Sequence, residues 1–310
     1  MTLPAEYVLP VRWHDDAGLE DLTAYLRTLS RLVDVTVVDG SAAELFARHE
    51  ARWAPYARVV PPGTWRGRNG KVRGVMTGVV LARHDAIVIA DDDVRYSAEG
   101  LAEGLRRLER ADLVAPQNVF TDWPWHARWD TGRQLLNRAF GSDYPGTLIV
   151  RKDAVLPGGY DGDVLFENLE LMRTVAQRGR VVERADDLYV GRRPPSTAHF
   201  LGQRVRQAYD DFAQPVRLVA EAALLPTLIA LRRRPAMLGL LALTVVALAE
   251  KGRRRAGGDR AFPVTASAWA PVWLAERAVC VWLAIGRRAT GGIPYGDGRI
   301  RRAAGRPGSG

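Results

Sequence analysis

Ala86-Ile-Val-Ile-Ala-Asp-Asp-Asp-Val-Arg-Tyr-Ser97 joins a five-residue apolar run to three consecutive aspartates. A short apolar run with no polar alternation predicts a strand buried on both faces, as in a parallel sheet covered by helices. Ligands in open α/β sheets bind beyond the carboxyl ends of the strands, which is where the three aspartates fall. Adjacent carboxylates repel one another and require a cation or strong donors. A solvated turn capping the next helix is the plainer alternative.

Working outward, the same alternation repeats. Tyr7-Val-Leu-Pro-Val11 reads as a strand, Leu19, Leu22, Leu26 and Leu29 mark a helix, and Val35-Thr-Val-Val38 reads as a second strand closed by Asp39. A helix over Lys71–Ala82 leads into the aspartate strand, a further helix spans Ala98–Arg110, and Leu113-Val-Ala115 follows as a strand. Strands alternating with helices predict an α/β fold with a mostly parallel mixed sheet flanked by helices.

Charge divides the chain. Of its 310 residues, 1–215 hold 28 basic and 30 acidic side chains, whereas 216–310 hold 16 and 5. Leu218–Leu231, Pro235–Ala249 and Ala268–Gly286 are apolar runs set among arginine clusters, a mixture suited to anionic lipid headgroups rather than nucleic acid. Pro235–Ala249 would cover about 22 Å as a helix against a hydrocarbon core of about 30 Å. Arg232-Arg233-Arg234 and Arg253-Arg254-Arg255 bracket it, so an interfacial or re-entrant helix and a tilted span both stand, beside a soluble bundle. The expected organisation is a catalytic domain over 1–215, membrane-associated helices over 216–290 and a disordered basic tail over 291–310. Met1–Pro10 has neither the basic nor the apolar run of a secretory leader, so the front domain is expected on the cytoplasmic side of the cell membrane. One cysteine, Cys280, and five scattered histidines argue against a disulfide framework or a zinc site.

Several short motifs then fall in an informative order: Val37-Val-Asp-Gly-Ser41, Asn69-Gly-Lys-Val72, Asp91-Asp-Asp93, Gly146-Thr-Leu-Ile-Val150, Phe166-Glu-Asn-Leu-Glu-Leu171 and Gln203-Arg-Val-Arg-Gln207. Together they resemble the family 2 glycosyltransferases, in particular the ceramide glucosyltransferase-like group, over roughly residues 5–215. The resemblance implies the GT-A nucleotide-diphospho-sugar transferase fold and a Mn²⁺- or Mg²⁺-dependent, inverting transfer of a sugar to a lipid-linked acceptor. It implies Asp93 and Asp91 as metal ligands. Pro10, Asp39, Lys71, Asp91, Asp92, Gln203 and Arg206 are implied as donor-binding residues. Gly146 and Thr147 are implied on the acceptor side, joined there by Trp123 and Trp125, whose flat rings with a polar edge suit a sugar face or the membrane boundary. The helix beginning at Glu167 carries the catalytic candidates Glu167, Asn168 and Glu170.

The chain departs from the family at Asn168, where the general base is normally an aspartate. An amide does not take a proton from a hydroxyl at neutral pH. Glu167 or Glu170 serves instead, or the acceptor is an already ionised phosphate such as a polyprenyl phosphate, or catalysis has been lost. Two other functions stay in view. A sugar nucleotidyltransferase would carry a Gly-rich basic loop after the first strand, where this chain has Pro10-Val-Arg-Trp-His-Asp-Asp16; a catalytically silent membrane module would be consistent with Asn168.

Overall fold

The computed structural model describes residues 2–295 and 298–305, which form two compact units. The first comprises residues up to Asn118, Pro145–Gly191 and Gly305; the second comprises Val119–Tyr144 and Arg192–Ala304.

The first unit runs β1 (Ala5–Val11), α1 (Leu19–Leu29), β2 (Asp34–Asp39), α2 (Ala43–Trp53), β3 (Arg58–Val60), α3 (Gly70–Leu81), β4 (Ala86–Ala90), β5 (Val94–Arg95), α4 (Ala98–Arg107) and β6 (Leu113–Phe120). After α5 (Trp125–Phe140), which belongs to the second unit, it resumes with β7 (Thr147–Arg151), α6 (Lys152–Val155), α7 (Glu167–Gln177) and β8 (Val182–Arg192). The eight strands form one sheet in the order β3-β2-β1-β4-β7-β6-β8-β5. Strands β3, β2, β1 and β4 are parallel, and β7 runs antiparallel to both β4 and β6. The expected mixed sheet is therefore present, parallel across β3-β2-β1-β4 and antiparallel around β7.

Alternation along the strands explains the two covered faces. Val88 and Ala90 of β4 join Tyr7, Leu9 and Val11 of β1 in one core with Leu22 and Leu26 of α1, while Ile87 and Ile89 join Val8 in another with Val75 and Met76 of α3. Close packing of α3 on β1 needs glycine. A Cβ at Gly74 would lie 2.9 Å from the Cβ of Pro10, and one at Gly78 would run into Val8. This contact sets α3 antiparallel to β1 and carries its amino end, with Lys71, toward the carboxyl end of the sheet.

The second unit contains α5, α8 (Thr197–Gly202), α9 (Arg204–Tyr209), α10 (Pro215–Ala222), α11 (Leu224–Leu231), α12 (Pro235–Arg254), α13 (Ala270–Ala289) and a hairpin of β9 (Ile293–Tyr295) and β10 (Gly298–Ile300). The division does not follow the expected boundary at residue 215, because α5 packs with α12 and α13. In place of the disorder expected from residue 291, an antiparallel hairpin forms; residues 306–310 lie outside the described residues. Glu276 and Arg277, the charges in the middle of α13, are absorbed internally: Glu276 accepts from Trp129 Nε1 at 3.1 Å, and Arg277 Nη1 donates to Asp211 at 2.7 Å. Burial and the neighbouring Asp211 push the Glu221 carboxyl up to about 8.

Candidate active site

The aspartate turn is built by its backbone. The Asp91 N–H donates to Gly146 O at 3.2 Å, and Asp91 O accepts from Val94 N at 3.1 Å, which turns the chain back immediately after β4. Arg95 fixes the turn by donating through Nη1 to the carbonyls of Asp92 at 2.7 Å and Val94 at 2.9 Å. Thr147 joins β7 to this end of the sheet, its hydroxyl donating to Ile89 O at 2.8 Å and lying 3.0 Å from the Tyr96 hydroxyl.

Lys71 lies in the first turn of α3, which Asn69 caps by accepting from the Lys71 and Val72 amides. Asn69 Nδ2 also donates to Val164 O at 2.9 Å, tying the helix start to the segment before α7. From this anchored position the Lys71 ammonium pairs with Asp91 Oδ1 and, at 2.6 Å, with Glu167 Oε1. Burial acts to lower its pKa, but the two carboxylates outweigh it and hold the ammonium above its ordinary range. Three residues, from the first turn of α3, the turn after β4 and the head of α7, thus meet at one point. An ammonium has three donors, and two of them go to these carboxylates.

Asp92 is engaged differently. Its Oδ2 accepts from Trp13 Nε1 at 2.5 Å, and the Trp13 backbone N–H donates to Ser41 Oγ at 2.8 Å. Trp13 sits edge-on to His49 and Trp53, with centroids 5.3 and 5.6 Å away. Beside it opens a cleft of about 270 Å³ lined by Arg12, Trp13, His14, Gly40, Ser41, Ala42 and Leu45, at the carboxyl ends of β1 and β2. Pro10 is in β1, paired with Val38. Asp39 lies beneath the cleft, fully buried, accepting from the Ser41 amide at 2.8 Å and placed 2.6 Å from His49 Nδ1. The other His49 nitrogen is 3.0 Å from Asp16 Oδ1.

The residues at the head of α7 have separate partners. Glu167 faces Lys71. Asn168 is buried and donates through Nδ2 to Pro145 O at 2.9 Å, next to the Gly146 that holds Asp91. Glu170 Oε2 accepts from the Gly305 amide at 2.5 Å. Trp123, Trp125, Gln203 and Arg206 belong to the second unit. There Trp123 meets Phe120 edge to face, Trp125 packs near Phe200 and Trp129, and the Arg206 guanidinium lies 5.2 Å over Tyr295. Gln203 ends α8. The buried arginine of that motif is Arg204, stacked 3.8 Å over Phe200 and paired with Asp130 at 3.3 Å.

Trp13, Asp16 and His49 are not among the site residues expected from the sequence, where Ser41 enters only as the end of the Val37–Ser41 motif. A signal existed for His49, since Leu45, His49 and Trp53 recur every fourth residue and form the buried face of α2. Trp13 offered none, because its partner Asp92 is 79 residues away.

Asp91 and Asp93 present carboxylate oxygens, the hard donors that Mg²⁺ and Mn²⁺ take together with phosphate oxygens, so the donor chemistry of the turn fits such an ion. A second cluster with ligand spacing, Glu6, Asp34 and His84, lies at the opposite, amino end of the sheet. Its Glu6 carboxylate is taken by Thr36 Oγ1 at 2.5 Å, Arg58 Nη2 at 2.9 Å and the Arg83 amide at 3.1 Å, which makes it a neutralised structural cluster.

No protein-family model matches the chain, and no curated protein sequence matches it. Among solved structures it is similar to the mannosyltransferase PcManGT from Pyrobaculum calidifontis in complex with GDP-Man and Mn²⁺, with a TM-score of 0.54 and 15% identity over 91% of this chain and 88% of that one. A weaker likeness is to glucosyl-3-phosphoglycerate synthase from Mycobacterium tuberculosis in complex with Mn²⁺ and UDP-Glc, with a TM-score of 0.44 and 17% identity over 64% and 73%. At this identity the first likeness speaks for the shared GT-A fold.

Proposed function

We propose that the chain is a metal-dependent glycosyltransferase. It moves a sugar, with inversion, from a nucleotide-diphospho-sugar to a lipid-linked acceptor at the cytoplasmic face of the membrane, as the ceramide glucosyltransferase-like resemblance implies. The observation that carries the reading is the meeting of Lys71, Asp91 and Glu167 at the carboxyl end of β4, in the same unit as the cleft beside Trp13. In an open α/β sheet that end is where a nucleotide lies. The nucleoside end of the donor enters the Trp13 cleft, and its diphosphate reaches toward the aspartate turn. Asp91 and Asp93 would hold Mn²⁺ or Mg²⁺, which when bound supplies positive charge against the departing diphosphate. Lys71 keeps Asp91 and Glu167 in place and has its third N–H for a phosphate oxygen. Gly146 and Thr147 border the acceptor in this reading.

Transfer forms a bond from an acceptor oxygen to the anomeric carbon as the bond from that carbon to the diphosphate oxygen breaks, the leaving oxygen keeping the electron pair. A hydroxyl acceptor must also lose a proton. Asn168 gives its amide donor to Pro145 O and has no basic site to offer, whereas the oxygen of a phosphate monoester is already ionised. The Asn168 bond therefore favours a polyprenyl phosphate acceptor. The test is nucleotide release by purified protein with UDP- and GDP-sugars, Mn²⁺ or Mg²⁺, and either polyprenyl phosphate or hydroxyl-bearing lipids. Release that requires metal, rises with polyprenyl phosphate and falls about 10²-fold or more in Asp93→Ala is expected. Stimulation by hydroxyl lipids alone would move the base to Glu167 or Glu170, and donor binding without turnover under any condition would overturn the catalytic reading.

A further inference from the structure

We infer that the second unit docks flat on an anionic phospholipid surface through α11 and α12, without crossing the bilayer. The inference rests on the reading above for its membrane partner and adds how the chain meets it. Two helical stretches, Pro235–Gly257 and Val264–Ala289, are long and apolar enough to span, yet the helices α12 and α13 within them both pack on α5. Gly252 of α12 packs so closely on α5 that a Cβ there would strike the Leu135 carbonyl. The fully buried Arg138 of α5 donates to Gly252 O at 3.1 Å and to Arg255 O at 2.5 Å. The middle of α13 is held by the Trp129–Glu276 and Arg277–Asp211 bonds. A bilayer-spanning placement would carry the charged α5 and these ion pairs into hydrocarbon.

The remaining face is apolar and uncovered. At about 100° per residue, Val245, Ala249 and Gly252 share the buried side of α12. Leu240 and Leu243 fall on the opposite side and are 58% and 70% exposed, and Met237, 46% exposed, lies on the flank between the two sides. Helix α11, Leu-Leu-Pro-Thr-Leu-Ile-Ala-Leu, buries none of its residues. Between the two helices stand Arg232, Arg233 and Arg234, all exposed. Among the described residues none of the three pairs with a carboxylate, and Ala222–Ala249 contains no acidic residue at all. Unneutralised arginines beside an exposed apolar stripe match the boundary between headgroups and acyl chains of an anionic leaflet. A nucleic acid would satisfy the arginines but leave the stripe in water.

Cosedimentation of the full chain with phosphatidylcholine vesicles, with and without phosphatidylglycerol, tests this. Binding to the anionic vesicles is expected to exceed binding to neutral ones by about 10- to 100-fold and to fall with added salt. Arg232→Glu/Arg233→Glu/Arg234→Glu should abolish the preference, and Leu240→Ser/Leu243→Ser should weaken binding to both vesicle types. Both variants change exposed positions and should keep the parental melting temperature and nucleotide-sugar binding. Equal, salt-resistant attachment to neutral vesicles that survives alkaline washing would indicate a span and overturn the inference. So would an absence of vesicle binding alongside normal donor turnover, since the stripe would then face protein. Vesicle binding as expected with no turnover on any lipid acceptor would leave the docking intact and sink the acceptor reading instead.

Discussion

The two ends of one sheet carry acidic clusters of opposite character. At the amino end, Glu6 is wholly buried and Asp34 partly so; arginines, a histidine, a threonine hydroxyl and a backbone amide surround them. At the carboxyl end, three consecutive aspartates are all partly exposed; Asp91 pairs with the one lysine that also serves Glu167, and Asp92 accepts from Trp13 Nε1. The first arrangement neutralises charge and fixes the start of three strands. The second leaves carboxylate density beside a cleft, which suits an exogenous cation and a phosphate. Acidity alone does not distinguish a binding site from a structural one; the balance of fixed counter-charge does.

The largest effect that separates the two ends is expected at Lys71. Lys71→Met should lower donor turnover by about 10²- to 10³-fold, the scale seen when a fixed electrostatic contact to developing charge is removed. It should also cost up to about 3 kcal/mol of stability, since Asp91 and Glu167 would face each other without the ammonium; partial exposure of the pair keeps the figure at the low end for broken buried pairs. The pH dependence has a defined sign. A lysine whose folded pKa is raised contributes stability fully below its unfolded value near 10.4 and loses it as pH climbs above that. The stability gap between parent and Lys71→Met should therefore stay level from pH 7 to about 9.5 and narrow only above about 10.5. A gap that closes near pH 8 would mean that Lys71 titrates as a lone buried amine.

The amino end supplies the counterpart. Glu6→Gln keeps the side-chain size but removes the anion opposite Arg58, at a cost of about 1.5–3 kcal/mol for charge-assisted hydrogen bonds. Melting temperature should fall while donor turnover, measured well below the melting transition, stays within about twofold. A tenfold loss of turnover at full folding would break the distinction drawn between the two ends.

How much of this could be read in advance depended on sequence distance. The strands β1, β2 and β4 and the position of the aspartate turn were legible because continuous apolar runs and terminal acids are local signals. Lys71 stood out as one of three lysines in the chain, and its helix was placed, but its bond to Glu167 spans 96 residues and no periodicity points to it. The placing of α5 in the second unit has the same cause. Trp125–Phe140 is amphipathic and lies between two strands, so it resembles a sheet-covering helix, yet its partners α12 and α13 begin 95 and 130 residues after it ends. Composition marked the last third as different without showing that a helix from the middle of the chain joins it.

The smallest effect is the most discriminating for the acceptor. Asn168→Asp restores the family's usual residue, but in this chain the side chain at 168 donates to Pro145 O from a buried position. A carboxylate cannot donate, so at neutral pH two acceptors would face each other at a cost of about 1–3 kcal/mol. Protonation would restore a donor, which raises the carboxyl's folded pKa above its unfolded value near 3.9. The sign then follows: Asn168→Asp should be nearly as stable as the parent below about pH 4 and progressively less stable as pH rises through the folded pKa. Turnover toward hydroxyl-bearing lipids should not increase, because the new acid lies against the Pro145 carbonyl and is not available to a hydroxyl. If the variant instead keeps the parental melting temperature at pH 7 and gains tenfold or more on hydroxyl acceptors, residue 168 is a base position that the chain has merely vacated. The pairing of Asn168 with an already ionised acceptor would then lose its physical ground.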